Sequence, residues 1–403
     1  MNYIEQGTKE YRRVNLALFL GAFVTFANLY AVQPLLPRFT ETFHIQPATA
    51  SLSLSLATVT MAIGQLLAGS LSEAWGRRPI MLASLICVSA ASLASACTTN
   101  FVWFLLLRTV QGFVLAGMPA AAMAYLGEEI HPNHLGRAMG LYISGNSIGG
   151  MVGRIIAGLM AGLSWRYSIL TVGLIGVLIT FWSWRNIPES RHFSPQPLRV
   201  RSLTRTLLSH FRDPGLLVLF AMGFVLMGGF VTFYNYMPFR LERAPYHLPQ
   251  SVIAWLFLLY IVGTWSSTWM GQLADKYGRR RMLWVAVGIY ALGDLATAWT
   301  PLALQVLGIG LLTFGFFGGH ALASSWVGRR ARRDRAQASS LYLFFYYMGS
   351  SVGGSLGGIF YSSCGWQGVA WFVGVFTILG FVGTWLLARM QNVQMDSKGG
   401  VSK

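Results

Sequence analysis

A lipid bilayer admits only helices or closed barrels, because no water is present to satisfy a stray backbone group. That constraint governs this chain, which is a succession of long apolar runs. Twelve can be drawn, at about 14–36, 49–71, 80–97, 102–126, 137–162, 167–186, 214–237, 251–273, 282–300, 303–327, 337–362 and 367–388. Their lengths match that of a spanning helix, about 17–25 residues at the ~1.5 Å rise. Glycine runs through them, 45 in the chain, which suits close helix packing in lipid. Only 11% of residues are charged, against roughly 25% in an average soluble domain, too few to coat a water-soluble body of this size. The fold class that follows is an all-α polytopic membrane protein with 12 transmembrane helices. The first run, from Val14, follows Lys9, Arg12 and Arg13. It is longer than a signal-peptide core and has no small-residue cleavage site, so it reads as an uncleaved first span.

The net charge of +17 would suggest a nucleic-acid partner in a soluble chain. Its placement argues otherwise. With the N-terminus inside, the inner segments hold 24 of the 30 Lys and Arg residues and the outer segments four, Arg38, Arg166, Arg240 and Arg243. The remaining two, Arg108 and Arg154, fall inside spans. This bias predicts a multi-pass protein of the bacterial inner membrane with both termini cytoplasmic. The charge is then spread over short loops that face anionic lipid, and nucleic acid is excluded as a partner. Cys87, Cys97 and Cys364 have no metal or redox spacing, and no metal or cofactor is expected.

One charged turn is written twice. Gly69–Pro79 reads GSLSEAWGRRP and Gly271–Arg281 reads GQLADKYGRRR, 202 residues apart. The repeat is wider than the turn: Leu141-Tyr142 recurs as Leu341-Tyr342, and Ile148-Gly149-Gly150 as Val352-Gly353-Gly354. Between the sixth and seventh runs lies a segment rich in Pro, Ser and Arg, which reads as a solvated linker. The expected domains are an N-terminal six-helix half at 1–186, a cytoplasmic linker at 187–213 and a C-terminal half at 214–403 with a short tail. Two similar halves in one orientation are the pattern of a rocking transporter.

With these residues in view, the chain resembles the major facilitator superfamily over nearly its whole length. It is most similar to the drug–proton antiporter and sugar-efflux group, in the YnfM-type branch. The specific signal is the G-x-L-x-D-x-x-G-R-R loop in both halves, with Glu73 for Asp and Ala74 for the usual basic residue in the first copy. Arg108-Thr-Val-Gln111-Gly112 resembles the family's R-x-x-Q-G motif, whose arginine the resemblance links to proton transfer. Gly149-Gly150-Met-Val-Gly153-Arg154 resembles its G-P-x-x-G-G motif, with Gly150 for the proline and Arg154 for the last glycine. The resemblance implies two pseudo-symmetric six-helix bundles of the major facilitator fold.

The candidate residues divide by chemistry. In the turns, Glu73, Arg77, Arg78, Asp275, Arg279 and Arg280 are read as a conformational latch, because a contact made on one face in one state biases a two-state equilibrium. The alternative is a plain positive-inside loop. Arg108 and Arg154 lie in spans, where a charge costs at least ~2.5 kcal/mol and is functional by default; the alternative is snorkelling. With Gln111, Asn28, His320 and Tyr346 they form the expected substrate and proton pathway. The unperturbed pKa of histidine, near ~6.5, suits a proton carrier, although a lone histidine is more often a packing residue. Asp294, the one acid well inside a span, is read as structural or interfacial. Gly149, Gly150, Gly153, Gly353 and Gly354 are read as helix-packing glycines.

No phosphate-binding GxxxxGK[ST] loop or HExxH zinc motif is present, so an enzyme is not expected. The expected function is secondary active transport of a small organic solute, exported against protons by alternating access. A symporter or uniporter for uptake is the first alternative, and a non-transporting sensor or scaffold the second. The expected partners are a small-molecule substrate, protons and the bilayer, with the chain acting as a monomer. The resemblance implies a cavity lined by the first, fourth, seventh and tenth helices and flanked by the fifth; in this chain those spans offer Arg108, Arg154 and His320 and no acid, so an anionic or neutral substrate is favoured over a cation.

Overall fold

The computed structural model describes residues 3–195, 207–331 and 333–399, the side chains of 391–399 excepted. Fourteen α-helices form within them. The first unit carries α1 (Lys9–Tyr30), α2 (Leu36–Phe43), α3 (Pro47–Trp75), α4 (Arg77–Ala96), α5 (Phe101–Leu115), α6 (Gly117–Glu129), α7 (Pro132–Met160) and α8 (Trp165–Asn186). Then follow α9 (Pro214–Glu242), α10 (Gln250–Trp255), α11 (Tyr260–Tyr277), α12 (Arg279–Ala296), α13 (Leu302–Arg330) and α14 (Arg335–Gly399).

Nine continuous helical stretches among the described residues are long and apolar enough to cross a bilayer. The last of them, Arg335–Met390, changes direction at Gly365 (φ 57°) and so holds two spans. Phe101–Glu129 is likewise one span, built from α5 and α6. The two other runs of the twelve are α7 and α12. Arg137 and Arg154 in α7, and Arg279, Arg280, Arg281 and Asp294 in α12, lower their hydropathy. Large apolar side chains stay uncovered along the helices, Leu178 at 70% and Ile378 at 63% exposure. Patches of that kind suit lipid rather than water.

The chain divides into two compact units, Met1–Arg199 with Leu241–Phe257, and Val200–Arg240 with Leu258–Lys403. Of the linker drawn at 187–213, residues 196–206 lie outside the described residues. In the first unit α1 packs on α7, α3 on α5 and α4 on α8. The first of these contacts is glycine-built. A Cβ on Gly149 would strike the Phe23 backbone, and one on Gly153 would strike Ala27. Segment 241–257 joins this unit through Gln250, whose side chain accepts from Arg38 Nε at 2.9 Å and donates to the Pro34 carbonyl. In the second unit α13 packs on α11 and α12. There Gly353 meets the Gly228 backbone, and the Gly354 carbonyl accepts from Tyr236 OH at 2.6 Å.

Candidate functional site

Arg108 sits on α5, one turn before Gln111, and is 2% exposed; it does not snorkel. Its surroundings follow from how the first span ends. α1 stops at Tyr30, ahead of the 3-10 turn Gln33–Leu35, and the last carbonyls of a helix have no partner within it. Arg108 takes up two of them, with Nη1 donating to Asn28 O at 3.0 Å and Nη2 to Leu29 O at 2.8 Å. Nε donates to Ser53 O of α3 at 2.8 Å, and Nη1 also to Gln111 Oε1. Gln111 Nε2 donates to Ser92 Oγ at 2.7 Å and to Val88 O at 3.1 Å, and Ser92 in turn donates to Asn28 Oδ1. One polar chain therefore ties α1, α3, α4 and α5 together. Beside it is a void of about 10 Å³ lined by Asn28, Ser92, Ser95, Arg108 and Gln111, at the lower limit of room for one water.

Arg154 lies on α7 and is also 2% exposed. Nε donates to Gln33 Oε1 at 2.6 Å and Nη1 to the Gly150 carbonyl at 2.7 Å. The guanidinium lies 4.0 Å from the Tyr30 ring centroid and 5.5 Å from that of Phe257, within cation–π range. The absence of a side chain at Gly150 leaves room for this arrangement, since a Cβ there would lie 3.2 Å from Arg154 Nη1.

In the second unit His320 Nδ1 lies 2.9 Å from Tyr342 OH. The imidazole is stacked at 6.0 Å on Phe316 and lies 4.7 Å from the Tyr346 ring. Asp294 is 4% exposed, and its Oδ1 has no hydrogen-bond partner among the described residues.

The turn residues separate in space. Arg77 meets Glu128, the penultimate residue of α6, through Nη2 at 2.7 Å, and Nη1 donates to Ser72 Oγ at 2.7 Å. Glu73 has no ion pair among the described residues. Arg78 donates to Ile187 O at 2.7 Å and Trp184 O at 3.0 Å and lies 3.5 Å from Glu189. In the second unit Asp275 lies 3.4 Å from Arg279 and 3.5 Å from Arg329. Arg280 occupies the first turn of α12.

A feature not singled out from the sequence is a cleft of about 790 Å³ between the N-terminal ends of α1 and α7. Its polar lining is Gln6, Tyr11, Arg12, Asn15, Arg137 and Ser144, set among Leu16, Phe19 and Leu141. Among the described residues neither Arg12 nor Arg137 has an ion pair and no acid lines the cleft. Tyr11 OH is buried there with no hydrogen-bond partner among the described residues. In the sequence these two arginines were indistinguishable from any other basic loop residue; only the packing of α1 on α7 brings them together.

Comparison with known proteins agrees with this architecture. The profile of the Major Facilitator Superfamily matches residues 18–326 and 243–400. The chain is 48% identical over 400 residues to the MFS-type transporter YybF of Bacillus subtilis (strain 168), covering 99% of this chain and 98% of that one. It is 44% identical over 390 residues to the inner membrane transport protein YnfM of Escherichia coli (strain K12), covering 96% and 94%. Among solved structures, a bacterial homologue of the human lysosomal transporter Spinster, inward-facing and unoccupied, matches with a TM-score of 0.77 at 18% identity. That match covers 95% of this chain and 98% of the other, and it speaks to the fold alone.

Proposed function

The chain belongs to the major facilitator superfamily, and from that premise we propose that this secondary transporter exports a small anionic or neutral polar solute in exchange for protons, by alternating access between its halves. Both termini are placed in the cytoplasm, where the basic loops face anionic lipid, and the chain works as a monomer in the bacterial inner membrane.

The cleft between α1 and α7 carries the substrate reading. Among the described residues its cations are Arg12 and Arg137, its neutral polar groups are Gln6, Tyr11, Asn15 and Ser144, and no carboxylate lines it. A cleft lined by one sign of charge concentrates the opposite sign and repels its own. With the N-terminus inside, the cleft opens to the cytoplasm and favours the loading of an anion or a polar neutral molecule. Arg154 and Gln33 continue the same chemistry deeper in the unit. Arg108 serves this pathway chiefly by fixing the end of α1. His320, with its ring nitrogen on Tyr342 OH and its face against Tyr346, is the proton carrier of the scheme. One charge crossing ~100 mV yields ~2.3 kcal/mol, so a single coupled proton supports substantial extrusion.

The test uses inside-out vesicles or proteoliposomes with an imposed pH gradient. Uptake into the acidic lumen is compared for a neutral sugar, an organic acid and a lipophilic cation. Gradient-dependent movement of the acid or the sugar, weakened by the double substitution Arg12→Gln and Arg137→Gln, is the expected result. Robust transport of the cation alone would refute the substrate class. Transport unaffected by collapsing the gradient would refute the proton coupling.

A further inference from the structure

Away from the membrane-spanning segments, three side chains converge at the N-terminal end of α7. We propose that Glu5, His131 and His134 form a binding site for a divalent transition metal, Zn²⁺ by preference. The convergence is built by the backbone. Ile4 and Ile130 form a parallel bridge, with Ile4 N donating to Glu129 O at 2.8 Å and His131 N to Ile4 O at 3.4 Å. Both isoleucines are buried, at 2% and 0% exposure. Side chains alternate along extended backbone, so residues 5 and 131, one step beyond the bridge, turn together to the opposite, open side. His131 is the N-cap of α7, and His134 lies three residues on, on the same side of the first turn.

The result is two imidazoles presented to one carboxylate. His131 Nε2 lies 3.9 Å from Glu5 Oε1, and His134 Nε2 lies 3.6 Å from Glu5 Oε2. The three prospective ligand atoms lie within 4.8 Å of one another. Tetrahedral Zn²⁺ with bonds of ~2.1 Å places neighbouring ligand atoms roughly 3.4 Å apart, which small rotations of these side chains reach. Side-chain exposures of 31%, 30% and 53% for His131, His134 and Glu5 leave the site accessible, with a coordination position open to water. Two imidazoles and one carboxylate suit Zn²⁺ and its neighbours in the series, not Mg²⁺ or Ca²⁺, which prefer all-oxygen shells. There is a local cost: His131 Nδ1 now accepts the Asn133 N–H at 3.3 Å. A metal on Nε2 moves the ring proton to Nδ1 and gives up that long cap. Once bound, the metal fastens the segment before α1 to the helix that carries Arg137 and Arg154.

The experiment needs no transport substrate. Full-length protein is purified without a polyhistidine tag, and Zn²⁺ binding is measured by competition with a chromophoric chelator and by calorimetry. One Zn²⁺ per chain is expected, with no comparable binding of Mg²⁺. His134→Ala and Glu5→Ala each weaken it by about tenfold or more, while His247→Ala leaves it unchanged. These two variants spare the cap formed by His131, and an unchanged melting temperature without metal verifies that they fold. Absence of Zn²⁺ binding by the wild type would overturn the proposal, leaving Glu5 as an electrostatic neighbour of two histidines. Wild-type affinity in both variants would overturn it equally.

Discussion

Replacing Arg108 with alanine tests whether this buried cation holds the first unit together. The side chain supplies donors to four acceptors, the carbonyls of Asn28, Leu29 and Ser53 and the Gln111 amide oxygen. All four would be left in a region where Arg108 and Gln111 are 2% and 1% exposed. An acceptor stranded in this way costs about 1–3 kcal/mol. Partial relief comes from water entering the enlarged void and from removal of a buried charge. Four such acceptors set an upper range of about 4–12 kcal/mol, and that relief brings the net loss down to about 3–5 kcal/mol. At roughly 2–4 °C per kcal/mol for a cooperative unit of about 200 residues, the apparent melting temperature should fall by about 10 °C. Arg108→Lys keeps the charge but cannot span four acceptors with one ammonium, so it should fall between wild type and Arg108→Ala. The assay is thermal unfolding of detergent-solubilised protein followed by size-exclusion chromatography. An Arg108→Ala variant that melts with the wild type would refute the reasoning and would leave Arg108 with a transport role only.

Three further outcomes follow from particular contacts. Gly153→Val puts a side chain 2.5 Å from Ala27 Cα and should destabilise by about 1–3 kcal/mol through overpacking, whereas Gly140→Val, with nothing within 4 Å, should melt as wild type. Glu128→Gln should lower stability more than Asp275→Asn, because the Arg77–Glu128 pair is short and partly buried (2.7 Å; 9% and 30% exposed) and Arg329–Asp275 is long and open (3.5 Å; 64% each), a class worth ~0–1 kcal/mol; equal losses in unfolding assays would contradict this ordering. Partial burial pushes the Asp213 carboxyl up, but the Arg330 guanidinium and the Gly215 and Leu216 N–H groups outweigh it and hold the group below the ordinary 3.8. A depressed carboxyl contributes stability above its unfolded value that is lost as pH falls through the folded one, so the wild type should lose an increment of about 1 kcal/mol or less below roughly pH 4, and Asp213→Asn should show no such step in melting temperature against pH.

The parts of the fold legible in the sequence are those set by one-dimensional pattern. A run such as Leu302–Arg330 must be a helix if it is to lie in lipid, and the glycines at 149 and 153 announce close approach without naming the neighbour. The neighbour was the illegible part. Nothing in the spacing of Arg77 points to Glu128, 51 residues on, because the pair forms only when α4 and α6 pack. Arg108 was readable as a costly charge, but not as the residue that takes up the carbonyls of Asn28 and Leu29. That role depends on where α1 stops. The metal cluster was hidden for the same reason. His131 and His134 were not singled out from the sequence, and Glu5 reaches them through an isolated backbone bridge that no periodicity signals.

The repeated turn carries the same backbone and matched charges, Glu73 with Arg77 and Asp275 with Arg279, but opposite roles in the ion pair that each makes with a neighbouring span. Gly76 and Gly278 have φ of 99° and 89°, a region glycine enters without strain and other residues do not. Each closes one helix and opens the next, its N–H donating to Ser72 O at 3.1 Å and to Ala274 O at 3.0 Å. That shared geometry accounts for the recurrence of the glycine. The ion pairs built on it are not copies. In the first unit the turn supplies the cation, Arg77, and the end of α6 supplies the anion, Glu128. In the second unit the turn supplies the anion, Asp275, and the end of α13, 201 residues beyond Glu128, supplies the cation, Arg329. The next residue, Arg330, reaches Asp213 at 2.7 Å, just before α9, while Arg78 of the first turn donates to the carbonyls of Trp184, in the last turn of α8, and Ile187, just after it. Both units thus tie the turn to the end of a neighbouring span and fix the adjoining ends of the linker, with opposite polarity and different burial. A sequence match of the turn alone therefore cannot reveal which partner completes the tie, because that partner lies on another span and carries the opposite charge in each unit.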